Sequence, residues 1–554
     1  MNRGRAVATA VCVLIGVTPA PVLACGGFFC SSAPIDQAGE TIVYGLEDDG
    51  TLTMSIQIRY SGDDDDFAWI LPVVAPPEIS LGSDALFTAI EAATRPTFGI
   101  SDVTEGSCRL HPTCVFASSC LEASDSGCGG GAPSSGWTGG YVDASAPPPA
   151  ADSSVALMDA GTEPGVTVYS RGPVGPYETV VLGAATAQEV VDWLREYNYD
   201  VADSSVPLLE TYAAAGQVFV ALRLRSDART RTIQPITLRM PTAEVCLPIR
   251  LTAIATVPDM PIRAFFLGRE QVRAANYNTA IVDTSDVAFY DGRATYPGAV
   301  RQRIGELGGH AFATDYAGPT PAVSLALPSV SDLSDIGDAG LFLRRLADRG
   351  YRGDAQLLDV LEAYVTAPAE WTGSLTDYYN CLFSDGTAAC GEPAVFDPVG
   401  LTAAIEAEIT QPRADAEALV HRHAYLTRLY TSMSAEDMTI DPVFVADGDL
   451  PPQPAVHIAE RVTRCAPQYF AEDAPQVWRI GGDETPIHDG TPADDHAYCA
   501  ARGAVPISEA PECAGDSSSR GGCLCAVGGT APIQGGVLLG VALLLFGRRH
   551  RRAR

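Results

Sequence analysis

The stretch LTMSIQIRY at Leu52–Tyr60 alternates apolar and polar side chains. A period of two is typical of a strand with one buried face, and such strands form antiparallel sheets. A second strand is predicted at Thr41–Leu46, joined to the first by the turn sequence DDG at 48–50. A third strand is predicted at Phe67–Val74. Together these strands predict an antiparallel, β-rich N-terminal part.

Later segments continue this pattern before the hydrophobic period changes. Further strands are predicted at Tyr177–Leu182, Val218–Leu224, Ile233–Met240, Leu251–Val257 and Ile262–Leu267. Pro235 places the third of these at a sheet edge, because proline cannot donate a hydrogen bond to a neighbouring strand. Short helices are predicted at Ser83–Thr94 with Ser83 as N-cap, after the capping box Thr186–Glu189, and at Ser205–Ala214. Later helices are predicted at Ala339–Arg349, Ala355–Val365, Val399–Ile409 and Ala414–Thr431.

These patterns predict an α+β protein whose parts follow one another along the chain. An antiparallel β-rich part with short helices is expected at 25–325, and a helical part at 326–445. An acidic, cysteine-containing extension, which we expect to be a disulfide-tied stalk, is expected at 446–522. Residues 129–165 are rich in Gly, Pro and Ser with few large apolar residues, which predicts a flexible insertion in the first part.

The first 24 residues have the three parts of a secretory signal peptide. Two arginines precede an apolar run at 6–17, and Val22-Leu23-Ala24 forms a small-residue cleavage site before Cys25. The site also resembles a lipobox, in which Cys25 would carry lipid. We favour a disulfide between Cys25 and Cys30 over a lipid on Cys25. Leucine at the second lipobox position, Leu23, is a poor match, and an exported chain enters an oxidising compartment where disulfides form.

The C-terminal end has a second targeting pattern. Cys523 and Cys525 precede an apolar run at Gly535–Gly547 and a basic end rich in arginine. This order resembles the myxobacterial C-terminal sorting signal (MYXO-CTERM), which implies delivery to the cell surface and cleavage near Cys523 or Cys525 by a sorting protease. The run would span about 20 Å as a helix, against about 30 Å for a hydrocarbon core, so a permanent single-span membrane anchor is the less favoured alternative. Either way, residues 25–520 are expected outside the inner membrane, in the envelope or at the outer surface.

Composition excludes several functional classes. The net charge is −32, and a surface this acidic repels nucleic acid and anionic lipid head groups. All 36 basic residues are arginine. Without lysine the chain cannot form a Schiff base or a nucleotide-binding P-loop. No cofactor is therefore predicted, and no nucleic-acid partner.

The chain has 15 cysteines. Setting aside Cys12 of the signal peptide and Cys523 and Cys525 of the tail leaves twelve, an even number that predicts six disulfides in an exported protein. Cys381 and Cys390 suit a local loop, and the other pairings stay open. The twelve are Cys25, Cys30, Cys108, Cys114, Cys120, Cys128, Cys246, Cys381, Cys390, Cys465, Cys499 and Cys513.

Candidate metal ligands cluster in one acidic loop, at His488, Asp489, Asp494 and His496 beside Asp495. A solvated loop is the favoured interpretation, as it is for the consecutive acids at 63–66, which lack the alternating spacing of a calcium loop.

His421 and His423 lie two apart on a predicted helix, so they face different directions, and His423 is expected to be partly buried. The chain has no G-x-S-x-G, H-E-x-x-H or EF-hand sequence, so no catalytic residue is predicted. A Ser-His-Asp triad is recognised by geometry, so the sequence leaves that alternative open.

Several segments together resemble the bacterial domain-of-unknown-function family 2330, mainly over residues 25–270 with a further patch near 420–445. The resemblance implies an exported envelope protein and supplies no activity. We therefore expect an envelope-anchored binding or structural protein with an envelope or extracellular partner; the alternative is a secreted hydrolase acting on glycan or peptide. The segments are Cys25–Cys30, Glu40–Tyr44, Met54–Tyr60, Phe67–Pro72, Gly175–Leu182, Trp193-Leu194, the strand at Phe219 with Gln234-Pro235, Leu426–Tyr430 and Met438–Pro442.

Overall fold

A computed structural model describes residues 36–61, 68–115, 162–197, 201–224, 233–282, 287 and 292–509, except residues 164, 202, 255 and 481. Several predicted features lie outside these residues: the signal peptide, the acids at 63–66, most of the insertion at 129–165, the sorting tail, and Cys25, Cys30, Cys120, Cys128, Cys513, Cys523 and Cys525. Among the described residues, no helix is both long enough and apolar enough to cross a bilayer.

The strands are numbered in chain order. They are β1 Asp36–Leu46, β2 Leu52–Ser61, β3 Ala68–Val73, β4 Glu78–Leu81, β5 Thr97–Gly106, β6 Cys114–Val115, β7 Thr162–Glu163, β8 Val166–Val174, β9 Tyr177–Ala184, β10 Val218–Leu224, β11 Ile236–Met240, β12 Val245–Cys246, β13 Met260–Gly268, β14 Val272–Ala274, β15 Asn278–Thr279, β16 Ala311–Pro319, β17 Val365–Thr366, β18 Val395–Phe396, β19 Tyr425–Met433, β20 Val443–Ala446, β21 Val456–Cys465, β22 Gln476–Ile480, β23 Asp483–His488 and β24 Val505–Pro506.

The helices are numbered in the same way. They are α1 Asp84–Thr94, α2 Ala187–Glu196, α3 Val206–Ala214, α4 Ile249–Thr252, α5 Gly292–Glu306, α6 Ala339–Asp348, α7 Leu357–Tyr364, α8 Leu375–Ser384, α9 Thr387–Cys390, α10 Pro398–Ile405, α11 Gln411–Arg422 and α12 Asp495–Ala500. A π-helical turn at Glu406–Thr410 joins α10 to α11.

The described chain forms two compact units. The first contains the described residues up to Gly99 and from 162 to Ile458, and the second contains 100–115 and 459–509. The predicted boundaries at 325 and 445 stay predictions.

An eight-stranded sheet forms the centre of the first unit, in the order β15-β16-β19-β13-β1-β2-β11-β4. Its pairs β1–β13 and β15–β16 are parallel, and the others are antiparallel. A five-stranded antiparallel sheet has the order β3-β10-β9-β8-β7. The α+β class, rich in antiparallel strands, is therefore confirmed.

The alternation that predicted β2 follows from its packing. Its apolar residues, among them Met54 and Ile56, point into the largest core cluster. The prediction of a solvent-facing polar side is wrong, because Thr53 and Ser55 are also buried. Ser55 forms a hydrogen bond of 2.8 Å with Thr237, and Gln57 donates to Asp84 at 2.5 Å. Because these polar side chains are hydrogen-bonded, the second face of the strand can be buried as well.

Three predictions of local structure are wrong. Leu251–Val257 was expected to be a strand, but its start belongs to α4, whose first turn is capped by Asp441 through a hydrogen bond from the Arg250 amide. The helix expected at Ala414–Thr431 ends at Arg422, because the following residues pair as β19 between β13 and β16. Pro235 does not mark an edge strand: it precedes β11, which lies between β2 and β4.

The capping box at the start of α2 is present as predicted. Thr186 accepts a hydrogen bond from the Glu189 amide, and Glu189 accepts one from the Thr186 amide. Ser83 precedes α1 at the predicted N-cap position, but its side chain makes no capping hydrogen bond. The two positions therefore provide a matched comparison.

Replacing Thr186 with alanine is expected to lower the free energy of unfolding by about 1 kcal/mol, because a first-turn amide loses its acceptor. Ser83→Ala should cost clearly less, since no cap is lost there. Chemical denaturation of both variants, followed by circular dichroism, measures the difference. Equal losses would contradict the assignment of the cap to Thr186.

In the second unit, a four-stranded sheet has the order β23-β22-β21-β5, and its pairs β21–β22 and β22–β23 are antiparallel. Two disulfides, Cys108–Cys465 and Cys114–Cys499, join the two chain segments of this unit. Arg479 on β22 donates hydrogen bonds to one glutamate on each of the other three strands, β5, β21 and β23. Covalent bonds and charge pairing thus hold a unit in which few large apolar side chains are buried.

Candidate binding cavity

A cavity of about 320 Å³ lies in the first unit. Its walls come from the β1–β2 turn, the segment before β12, and strands β14 and β20, and most of the lining is apolar. The lining residues are Leu46, Glu47, Gly50, Thr51, Leu52, Thr242, Ala243, Val245, Val272, Phe444, Val445 and Ala446. Cavities of about 300–1,000 Å³ with apolar walls and few polar groups are typical of small-molecule sites.

Local chain geometry positions this lining. The Glu47 amide donates to the Thr51 carbonyl, and Gly50 adopts a φ of 81°, so the turn between β1 and β2 folds back tightly. On the opposite wall, β20 pairs with both β12 and β14. Phe444 anchors this small sheet, with its ring 4.7 Å from that of Phe266 in the core. Rigid strands therefore hold the cavity open.

Among the described residues that line the cavity, Glu47 is the one of charged type, and its carboxylate contacts residues outside the lining. Its Oε1 accepts a hydrogen bond of 3.0 Å from Arg422, and this oxygen lies 3.7 Å from Nε2 of His423. His423 was expected to be partly buried; it is buried, just after the end of α11, and this Nε2 has no hydrogen-bond partner in the described part of the chain. Burial lowers the pKa of His423, against the opposing effect of Glu47, so the imidazole is neutral at pH 7.

This arrangement suits binding. The lining includes two threonines and one acidic residue, and Nε2 of the nearby His423 forms no hydrogen bond with a hydroxyl group of the described residues. A nucleophile and its base must lie within hydrogen-bond reach, and the described lining holds no such pair. The cavity can enclose an apolar body.

Cys246 lines a second, much smaller cavity of about 20 Å³, together with Glu244 and Gln217. It has no disulfide partner among the described residues, and the prediction that all twelve ectodomain cysteines pair stays a prediction, because five of the twelve lie outside those residues. Burial, followed by the charges of Asp441 and Glu244, raises the pKa of the thiol to about 12. Because the thiolate is the reactive form, Cys246 is inert at neutral pH.

Two buried acids lie elsewhere in the large sheet. Asp315 on β16 and Arg428 on β19 approach to 3.0 Å, and the Tyr296 hydroxyl donates to Asp315 at 2.6 Å. Asp315 is the extra residue of a β-bulge, which turns its side chain toward the arginine.

Glu40 on β1 is also buried, and the side-chain amide of the nearby Gln37 donates to it at 3.3 Å. Burial raises the pKa of Glu40 to about 7.

The predicted metal candidates have other roles in the second unit. Asp494 accepts the Ala497 amide and caps α12, and Asp495 pairs with Arg109. The imidazole of His488, on β23, accepts the Gly490 amide. His496 lies within α12, and Asp489 in the loop after β23. Within the described residues, no group of three or more His, Cys, Asp or Glu side chains is arranged to hold a metal ion.

The other predicted residues divide into two groups. Cys381 pairs with Cys390 as expected, while Cys108 and Cys114 pair with the distant Cys465 and Cys499. His421 donates to the Val323 carbonyl at 3.0 Å, so it serves packing. Sequence reasoning missed the cavity, because its lining comes from four separated segments without a common motif.

The comparisons with known proteins identify a family and no activity. A family model described as an uncharacterized protein conserved in bacteria (DUF2330) matches residues 19–441, which is more than half of the chain. No curated protein and no solved structure matches.

Proposed function

We propose, from the premise that this chain belongs to the DUF2330 family of uncharacterized bacterial proteins, that it is an exported envelope protein which binds a small ligand. The observation that carries the binding role is the apolar cavity of about 320 Å³. A preformed cavity with few polar groups fits recognition of a largely apolar molecule.

Export is supported by chemistry at both ends of the chain and between them. The N-terminal pattern is that of a signal peptide with cleavage before Cys25. The disulfides Cys108–Cys465, Cys114–Cys499 and Cys381–Cys390 suit an oxidising compartment. The MYXO-CTERM-like tail favours attachment at the outer surface, with the membrane and a sorting protease as its partners.

A secreted hydrolase is the weaker alternative. The hydrogen bonds among the described side chains include none between a serine hydroxyl and a histidine, and the described lining includes one acidic residue, whereas glycoside hydrolysis uses two. In the binding role that we propose, an envelope or extracellular partner supplies the ligand, and the protein holds it without converting it.

The test is mass spectrometry of the protein released from the surface of its own cells, under native and denaturing conditions. We expect a chain that begins at Cys25, ends near Cys523 or Cys525, and carries a small molecule in the native spectrum. Ala243→Trp fills the cavity from an exposed position and should lose that molecule. Ala214→Trp, an exposed change at the end of α3, should keep it.

Each part of the proposal has its own contrary result. An intact Arg554 on the surface protein would contradict sorting cleavage and favour a plain membrane anchor. A ligand-free protein, or equal ligand occupancy in both tryptophan variants, would contradict the binding role of this cavity.

A further inference from the structure

We infer that the ligand is a short extended peptide, which pairs with β20 at Ala446 and places one large apolar side chain in the cavity. This inference rests on the proposed binding function and adds the chemical class of the ligand. The carrying observation is that no described strand pairs with the β12 side of Ala446, at the point where the cavity lies.

Strand β20 loses one of its two neighbours beside the cavity. β14 pairs with it from Phe444 to Ala446, whereas β12 pairs only with Val443 and Phe444. Continued in the same register, the second pairing would place Ala243 opposite Ala446, but among the described residues no backbone hydrogen bond joins these two. Both residues line the cavity, so the cavity lies beside a position of the sheet that a further strand can fill.

The backbone groups of Ala446 point to this open side. Along an antiparallel strand, the N–H and C=O groups of successive residues point alternately to the two neighbouring strands. The Val443 carbonyl accepts the Ala275 amide on the β14 side, and the Pro442 carbonyl accepts the Leu247 amide on the β12 side. Ala446 lies four residues after Pro442, so its N–H and C=O point to the β12 side, beyond the end of β12. A free strand edge of this kind is where an extended peptide can add a strand.

The side chain of a residue paired with Ala446 would enter the cavity. Residues two apart on a strand, and residues directly opposite each other on neighbouring strands, direct their side chains to the same face of the sheet. Phe444, Ala446 and their partners Val245 and Val272 therefore share one face, and all four line the cavity. A peptide residue opposite Ala446 shares that face, so its side chain is directed to the apolar lining.

The size of the cavity favours a large apolar residue at this position. A cavity of about 150 Å³ lined by apolar side chains accommodates benzene, so about 320 Å³ accommodates a phenylalanine side chain with part of its backbone. The peptide residues on either side would lie on the outer face of the sheet, where Val443 and Val445 are 44% and 36% exposed. An extended peptide with a phenylalanine therefore matches both the cavity and the free edge.

Isothermal titration calorimetry of the full-length protein with three probes tests the inference. The parent probe is N-acetyl-L-phenylalanine methylamide, and two isomers carry one additional methyl group, either on the phenylalanine nitrogen or on the methylamide nitrogen. In a hydrogen-bonded antiparallel pair the two residues exchange both N–H···O bonds, so the phenylalanine N–H donates to the Ala446 carbonyl. We expect methylation of that nitrogen to weaken binding at least about fivefold. Methylation of the other nitrogen, whose N–H points away from β20, should leave the affinity unchanged.

A pair of proline variants tests the other bond of the pair. Ala446→Pro removes the N–H that donates to the probe and should weaken the parent probe at least about fivefold. Ala446 bonds toward the β12 side, so this substitution removes no hydrogen bond to β14. Ala369→Pro makes the same change in an exposed turn outside the lining, in which the Trp371 amide donates to the Pro368 carbonyl. Proline suits this second position of a turn, so the control should bind the parent probe like the unmodified protein.

The outcomes separate the peptide class from the cavity itself. Equal binding of the two methylated isomers by the unmodified protein, or the reverse order, would overturn the peptide class while leaving the cavity as a binding site. Equal affinity of the two proline variants for the parent probe would overturn the pairing at Ala446. Failure of all three probes to bind would instead count against the proposed binding function.

Discussion

Arg428→Met is expected to lower the free energy of unfolding of the first unit by about 3–5 kcal/mol. The Arg428 and Asp315 side chains are only 4% and 2% exposed, and they approach to 3.0 Å. Removing the arginine leaves the Asp315 carboxylate buried with the Tyr296 hydroxyl as its donor. Burial raises the pKa of Asp315, and the charge of Arg428 opposes that rise, so the variant also favours a protonated Asp315.

A matched control separates burial from charge pairing. Arg273 and Asp447 form an ion pair at 2.7 Å, but their side chains are 41% and 26% exposed. Arg273→Met should therefore cost less than about 1 kcal/mol. Chemical denaturation of both variants measures the two losses on one scale. Similar losses in the two variants would contradict the prediction.

The double variant Asp315→Leu with Arg428→Met should regain much of the lost stability. Desolvation lowers the pKa of Arg428 and raises that of Asp315, so both partners are disfavoured as charges in this position. Apolar side chains avoid that cost. If the double variant is no more stable than Arg428→Met, the prediction is contradicted: the ion pair would then stabilise the sheet by more than the cost of burying its two charges.

Glu40→Gln is expected to stabilise the protein at pH 8 by about 3 kcal/mol and to change little near pH 4. Burial raises the pKa of Glu40 from 4.5 to about 7, against the smaller effect of the Gln37 hydrogen bond. The folded state therefore holds a proton that the unfolded state has lost between these two pH values. Stability from this group falls as the pH rises from about 4.5 to 7 and stays low above that range.

Glutamine has the same shape without the charge. The free energy of unfolding of Glu40→Gln should therefore lack the fall between about pH 4.5 and 7 that Glu40 causes. Urea unfolding of both proteins at several pH values measures it, and the difference between them cancels the contributions of other titrating groups. Glu78→Gln, an exposed change on β4, serves as the control and should follow the unmodified protein. Parallel stability curves for Glu40→Gln and the unmodified protein would contradict a neutral Glu40 in the core.

Local patterns in the sequence determined much of the secondary structure. The alternation at Leu52–Tyr60, the turn at 48–50 and the capping box at Thr186 each lie within one element and predict it correctly. The helical period also predicted α6 and α7. These signals succeed because strand and helix periodicity depends on neighbours along the chain.

The tertiary structure decided the features that need contacts between segments far apart in the chain. Cys108 pairs with Cys465 across 357 residues, and Asp315 meets Arg428 only because a bulge turns it inward. The end of α11 before β19 is likewise set by pairing with β13 and β16. The cavity that carries the proposed function is a space between strands, to which separate segments contribute one or a few residues each. Such a space leaves no periodic pattern in the chain, because its geometry exists only once the sheets have packed.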